Sequence, residues 1–403
     1  MECGREDGRL TDTALLAVLI AAAGGLVAGR AYAHARHRGL RDRPGFRTSP
    51  HYSQGLHYLA SGQVSLARSE LAKVAREDPD AVDVQQVLSH LYRETGQVER
   101  AIQIHQALLA RRDLTRAERA HTLASLGTDF RKAGFLDRAE RTFAEALDVD
   151  PNNLYALEGQ RKVYEDHQQW QRAYEIQIRL SRLRKADDGL VLGHLQARIG
   201  EEAARAGDRG AADVAFRTAL AHDARVLPAR LGLADLFAPA EPAKAAATLE
   251  EVERITPERA YLVFGRLESL YAAMGEAGRF VEMCERVIRQ DSRDWRARLE
   301  LSRHLRAASR PDEAMGVLLR AVETNPQGLA LHLELLRTLR AERELGKAVD
   351  GYLETAERSV FYVDPHLCVA CRYRAEGMLW RCPHCHEWDT FVEERLGPTT
   401  SDA

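Results

Sequence analysis

The sequence predicts a mostly α-helical protein: a long array of helical pairs, preceded by one apolar segment and followed by a small metal-binding domain. Three observations predict it. A small residue recurs at a period near 34 through the middle of the chain. An uncharged stretch of 17 residues, Thr13 to Gly29, lies near the start. Four of the six cysteines fall between Cys368 and Cys385. Hydrophobic residues make up 45% of the 403 and charged residues 29%, the balance of a folded chain rather than a disordered or collagen-like one. A mean hydropathy of −0.39 excludes a polytopic membrane protein. Lys+Arg 57 against Asp+Glu 60 gives a net charge of −3, without the basic excess of a dedicated nucleic-acid binder. Six cysteines are too few for a disulfide-stapled secreted scaffold.

Residues 1–12 read as a polar external tail and 13–32 as a transmembrane anchor. Seventeen uncharged residues are the short end of a spanning helix, and Arg30 and Tyr32 extend it by snorkelling into the interface. The alternative is a cleaved signal peptide, for which Ala31-Tyr32-Ala33 supplies a small-residue site. A signal peptide has a basic leader. Here Glu2, Glu6, Asp7 and Asp12 outnumber Arg5 and Arg9. Beyond the stretch come Arg30, Arg36, Arg38, Arg41, Arg43 and Arg47, opposed only by Asp42. The positive-inside rule then puts the N-terminus outside and the body in the cytoplasm. Residues 33–50, with Pro44, Gly45 and Pro50, read as a basic linker.

From 51 to 358 the chain reads as helix after helix. One segment sets the frame: Leu126-Gly127, Phe130, Gly134, Ala139, Phe143, Ala146, Pro151. A Leu-Gly pair packs the first helix, a glycine starts the turn, and an alanine lets the second helix approach. A bulky residue then fills the core of the pair. Equivalents of that alanine stand at 67, 101, 139, 173, 212, 245, 280, 314 and 348, with Phe280 the single departure in type. The steps are 34, 38, 34, 39, 33, 35, 34 and 34, which is the tetratricopeptide period over about nine units. The longer steps place loop insertions near 111–116 and 185–190. Such arrays form a superhelical solenoid whose first helices line a groove for peptides or protein surfaces. Groove candidates in the second and third units are Gln86, His90, Arg93, Ala124, Thr128 and Arg131, although any one of them taken singly is better read as a solvated helix position. Cys284 falls on a bulky core position and reads as a small hydrophobe; Cys3 has no assigned role.

Residues 364–392 read as a rubredoxin-like or zinc-ribbon domain, with 393–403 a tail. Cys368-Val-Ala-Cys371 and Cys382-Pro-His-Cys385 bring four sulfurs together from two tight turns, the donor set of one Zn or Fe ion. About 30 residues cannot bury enough apolar surface to fold alone, so the ion contributes folding free energy. Two disulfides would suit an oxidising compartment, which the arginine flank argues against. A thioredoxin-type pair would need a βαβ context that the sequence lacks. Four cysteines complete a tetrahedron, so His366, His384 and His386 lie around the site without ligating. Trp380, Trp388, Tyr373 and Phe391 are the expected apolar cover, and the domain is expected to pack on the last repeats. A closed site has no open coordination position, so it reads as structural. No phosphate loop, H-E-x-x-H, G-x-S-x-G or strand-linked dinucleotide motif is present, and the chain is not expected to be an enzyme.

The stretch Ala101-Ile102-Gln103-Ile104-His105-Gln106-Ala107-Leu108, continuing through Leu114-Thr115, Ala133-Gly134 and Asp137-Arg138-Ala139-Glu140, resembles the lipopolysaccharide assembly protein B family. So does Cys368 to Trp388, with Leu379-Trp380-Arg381-Cys382-Pro383-His384-Cys385 similar to the family's rubredoxin-like end. The resemblance implies a non-enzymatic protein of the bacterial inner membrane, single-pass, with its repeats and metal domain in the cytoplasm. It implies an adaptor that couples the LpxC deacetylase, which commits precursors to lipid A, to proteolysis by the AAA+ protease FtsH. Partners would be that protease and the lipopolysaccharide-synthesis proteins, with self-association left open. Of the family's functional positions only Cys368, Cys371, Cys382 and Cys385 carry over. The alternatives are a passive scaffold or co-chaperone for envelope enzymes, and an iron-dependent redox protein.

Overall fold

The computed structural model describes residues 49–325, 328–340 and 366–393. Among them the chain forms seventeen α-helices, one 3-10 helix and three short strands. The helices are α1 Pro50–Ala60, α2 Val64–Glu77, α3 Val82–Glu94, α4 Val98–Leu109, α5 Arg116–Lys132 and α6 Leu136–Val149. Then come α7 Leu154–Asp166, α8 Trp170–Arg184, α9 Gly189–Arg205, α10 Arg209–His222, α11 Leu227–Phe237 and α12 Pro242–Ile255. The 3-10 helix Pro257–Val263 leads into α13 Phe264–Ala273, followed by α14 Gly278–Gln290, α15 Trp295–Ala307, α16 Pro311–Thr324 and α17 Leu329–Arg340. Among the described residues these are eight pairs and one further helix. The expected second helix of the ninth unit, with Ala348 and Tyr352, lies outside the described residues.

The residues that set the frame do what the pattern requires. Ala67, Ala101, Ala139, Ala173, Ala212, Ala245 and Ala314 are completely buried, and so is Phe280, whose ring lies 5.2 Å from that of His304. A Cβ on Gly127 would come within 2.8 Å of the Phe143 ring, so the Leu-Gly pair is a contact requirement rather than a turn signal. Helix starts carry local signals. Thr115 and Glu118 form a capping box on α5, Asp208 and Asp294 cap α10 and α15, and prolines open α1, α12 and α16. The turn glycines Gly62, Gly96, Gly134, Gly207 and Gly275 take φ between 72° and 84°. Gln168 and Ser309 occupy the same turn with φ of 58° and 59°, at the cost every L residue with a Cβ meets there.

The described residues divide into two compact units, one ending at Ala156 and the other beginning at Leu157. The core of the first includes Ala67, Leu71, Val74, Val84, Leu88 and Leu91. The second holds two larger aliphatic–aromatic cores, around Phe216 and around Phe264, Tyr271 and Phe280, and also contains the C-terminal sheet. That sheet is antiparallel in the order β2-β1-β3, from β1 His366–Cys368, β2 Arg374–Ala375 and β3 Phe391–Glu393.

One expectation is corrected. No helix among the described residues is long and apolar enough to cross a membrane. The longest have 17 residues, about 26 Å of helix against a hydrocarbon core of about 30 Å, and they carry charged faces. The single-pass inner-membrane placement is therefore unsupported. The segment 13–32 on which it rested, the tail 1–12 and nearly all of the linker lie outside the described residues, as do 341–365 and 394–403.

The turn geometry makes a stability prediction. Ser309→Gly relieves a left-handed residue and should stabilise by about 0.5–1 kcal/mol, while Gly134→Ala should destabilise by about 1 kcal/mol. Urea denaturation midpoints check both; a lower midpoint for Ser309→Gly would show that the turn is not strained.

Candidate metal centre

Each cysteine pair sits in the same backbone turn. In the first, the Cys368 N–H donates to the Tyr373 carbonyl at 2.9 Å and the Arg372 N–H to the Cys368 carbonyl at 2.8 Å. In the second, the Cys382 N–H donates to the Glu387 carbonyl and the His386 N–H to the Cys382 carbonyl, both at 2.9 Å. Arg372 and His386 each follow the second cysteine of a pair, with φ of 63° and 62°. The two turns are thus copies of one knuckle, and each aims its sulfurs at the other.

All four Sγ atoms lie within 4.8 Å of one another, with Cys368 to Cys385 at 3.7 Å and Cys371 to Cys382 at 3.6 Å. Ligands about 2.3 Å from a central ion stand about 3.8 Å apart in a regular tetrahedron. The quartet therefore fits one Zn or Fe ion, held by Cys368, Cys371, Cys382 and Cys385. An ion there would tie the two turns together and leave no open coordination position. Cys368 and Cys382 are buried; Cys371 and Cys385 are half-buried. Burial raises the Cys368 thiol, but hydrogen bonds from Thr390, whose Oγ1 lies 3.1 Å from the sulfur, and from the backbone of Cys371 and Ala370 outweigh it and bring it to about 6. Burial and the neighbouring sulfurs push Cys385 up to about 12. Loading the site then displaces protons, as thiolate sites do.

The histidines stay outside the sulfur cluster: His366 is buried, His384 exposed, and His386 lies 3.6 Å from Asp166. Of the expected apolar cover, Phe391 is fully buried against the cysteines, with the half-buried Met378, Leu379 and Ala375 beside it. Tyr373, 40% exposed, meets the Phe391 ring edge-on at 6.4 Å and stacks on His384. Trp380 and Trp388 do something else: they join the core of Trp170, Ala173 and Leu195 on the repeat array.

Among the described residues the metal domain therefore makes its polar contacts with α7, α9 and the 3-10 segment and its ring contacts with α8 and α9, rather than with the last repeats as expected. The second knuckle makes the contact. Arg381 Nη2 lies 2.8 Å from Glu165 Oε2 as an ion pair and donates to Asp166 Oδ1 at 3.1 Å. Trp388 Nε1 donates to Glu165 Oε1 at 3.3 Å. The Trp388 ring stacks on His194 at 5.4 Å and meets Trp170 edge-on at 6.4 Å. Arg259 donates to Asp389 at 2.7 Å, and Lys162 reaches Glu387 at 3.5 Å. These partners lie outside the second and third units, where the groove candidates stand. A signal did exist. Arg161 stands one period after Gly127, and Gln177 one period after Phe143, so the fourth unit replaces a close-packing pair with polar residues. Arg161 and Gln177 are both buried, and Arg161 pairs with Glu165 one turn on.

The groove candidates divide. Ala124 is fully buried and Arg93 nearly so. Arg93 donates to Asp129 at 2.8 Å and lies 2.6 Å from His90 Nδ1. Gln86 donates to Thr122, Thr128 reaches the Tyr155 hydroxyl, Arg131 is half-buried and His90 is exposed. Beneath them Ser89 Oγ lies 2.7 Å from His105 Nε2, and His105 Nδ1 2.5 Å from Asp129 Oδ2. That has the order of a hydrolytic triad, but Ser89 is completely buried and its hydroxyl donates to the Gln86 carbonyl. The network joins α3, α4 and α5.

Two predictions follow from this geometry. Cys382→Ser removes a buried ligand and should abolish stoichiometric metal and make residues 366–393 protease-sensitive; retained metal by elemental analysis would count against the quartet. Burial also lowers His194 to about 4, with Asp389 opposing and Arg259 adding; Asp223 also faces it. An imidazole released into water takes a proton near pH 6.5, which the buried one refuses until about 4. Opening that exposes His194 is thus hardest above pH 6.5 and becomes easier, by up to about 3 kcal/mol, as the pH falls through that window. Hydrogen exchange of 366–393 between pH 7.5 and 4.5 measures it, and His194→Gln should flatten the profile relative to the unmodified chain.

Comparison with known proteins places these features. A rubredoxin metal binding domain matches residues 366–393, and tetratricopeptide repeats match 58–126 and 281–328. The chain is 26% identical over 351 residues to lipopolysaccharide assembly protein B of Escherichia coli K12, covering 85% of this chain and 89% of that protein. It is 22% identical to the protein of that name from Haemophilus influenzae Rd, with the same shares covered. A solved tetratricopeptide repeat protein from Parabacteroides merdae, 15% identical, covers 72% of this chain and 97% of its own at a TM-score of 0.26, too loose a likeness to carry an argument. Along most of its length and at its metal quartet, this chain is similar to the lipopolysaccharide assembly protein B family, as its sequence resembles it.

Proposed function

We propose that this chain is a non-enzymatic adaptor that regulates lipopolysaccharide synthesis by presenting the LpxC deacetylase to the FtsH protease. The observation that carries the regulatory role is the similarity to relatives named for lipopolysaccharide assembly, which runs through both the repeats and the metal domain. Tetratricopeptide repeats are protein-binding elements, and the four-cysteine site has no position free for a substrate. Both support an adaptor. The accessible members of the predicted groove, His90, Gln86, Thr128 and Arg131, are the proposed partner-facing residues. An adaptor works by proximity, since holding client and protease together raises the effective concentration of one for the other to about millimolar.

Deleting the gene should lengthen the deacetylase half-life several-fold, as measured by immunoblot after translation arrest, and the intact gene should restore it. An unchanged half-life sinks the proteolytic part of the reading. If the chain then co-purifies with biosynthetic enzymes but no AAA+ protease, it is a passive scaffold.

A further inference from the structure

Glu165 is a buried carboxylate, 1% exposed, on a helix more than 200 residues before the metal ligands. Its two oxygens divide between the two stems of the second knuckle. Oε2 pairs with Arg381, immediately before Cys382, and Oε1 accepts from Trp388, three residues after Cys385. Arg381 and Trp388 also form an antiparallel bridge with each other, and Asp389 N–H closes onto the Trp380 carbonyl at 2.7 Å. One side chain of the array thus clamps both ends of the loop that carries two of the four sulfurs. The first knuckle is built differently. There Val369 and Tyr373 are exposed, and the backbone N–H groups of Cys368, Val369 and Arg372 donate to Tyr373, Thr390 and Cys368 of the same domain.

We propose that Glu165 is a positioning residue for the metal centre: it fixes the separation of Cys382 and Cys385, so metal affinity depends on a residue of the repeat array. The inference stands apart from the adaptor reading, because it concerns only this chain and its ion. Groups that orient metal ligands from outside the coordination sphere carry about 10- to 100-fold in affinity. Linkage makes the effect reciprocal: if docking tightens the ion, the ion tightens docking by the same factor.

The test uses the full chain and Zn²⁺ in competition with a chromophoric chelator, with Co²⁺ as a spectroscopic stand-in. Glu165→Gln should bind Zn²⁺ about tenfold more weakly and alter the thiolate-to-Co²⁺ absorption. Arg381→Gln, which removes the same pair from the side of the metal domain, should do the same, and the double variant should be no worse than either single one. Glu250→Gln is the control. Glu250 accepts from Tyr271 and Arg279 in the same compact unit but does not touch the metal domain, so its loss should lower stability without changing Zn²⁺ affinity. Stripping Zn²⁺ should speed hydrogen exchange in α7 and α8. Unchanged affinity in both Glu165→Gln and Arg381→Gln, an equal loss in Glu250→Gln, or unchanged exchange on stripping the metal would each overturn the proposal.

Discussion

Two helices can approach closely only where one of them presents almost no side chain, and the array depends on that constraint. The completely buried alanines recur because each marks a crossing point within a helical pair. A methyl group there lets the backbones approach, and the residue opposite can then be large, as Phe143 is against Gly127 and Phe216 against Gly200. The abundance of alanine and the scarcity of aromatics follow from that division of labour. Enlarging a crossing residue meets a close-packed interior that has no slack.

The fourth unit departs from this rule. Arg161 and Gln177 replace the glycine–phenylalanine pair: Arg161 pairs with Glu165 at the face that receives the metal domain, while Gln177 donates to Asp188 at 2.9 Å. Burying charge is costly, and an ion pair in an apolar setting barely recovers its desolvation. Here the carboxylate of Glu165 serves Arg161, Arg381 and the Trp388 indole together. Such an arrangement adds little net stability but specifies one docked geometry, because removing any one member leaves another charge unmatched. The Arg93–Asp129–His105 network has the same character inside the first unit.

The metal domain is held from two sides. Its small core, Phe391 with the cysteines, Met378 and Leu379, is too slight to fold independently. An ion would tie the two knuckles to each other, and the indoles of Trp380 and Trp388 tie the second knuckle to the array. The tryptophans are therefore spent on docking rather than on shielding the sulfurs. The first knuckle, with Val369 and Tyr373, is left facing solvent.

Much of this was legible in the sequence because it repeats or is local. The period located the helix pairs, since a residue type fixed by contact distance must recur wherever the contact does. The cysteine spacing located the metal ligands, because two tight turns leave little freedom in where four sulfurs can go. Apolarity and the charge of its flanks point to a membrane span at 13–32, but no described helix supports one. Only the tertiary structure decided where the metal domain docks. Glu165, Asp166, His194 and Arg259 lie far from residues 380–389 along the chain, and no pattern within either segment encodes their pairing. The same holds for Ala124 and Arg93, which share a helix face with accessible residues in sequence but are buried by neighbouring helices. Periodicity reports which face of a helix is turned inward; what covers that face is a property of the assembled chain.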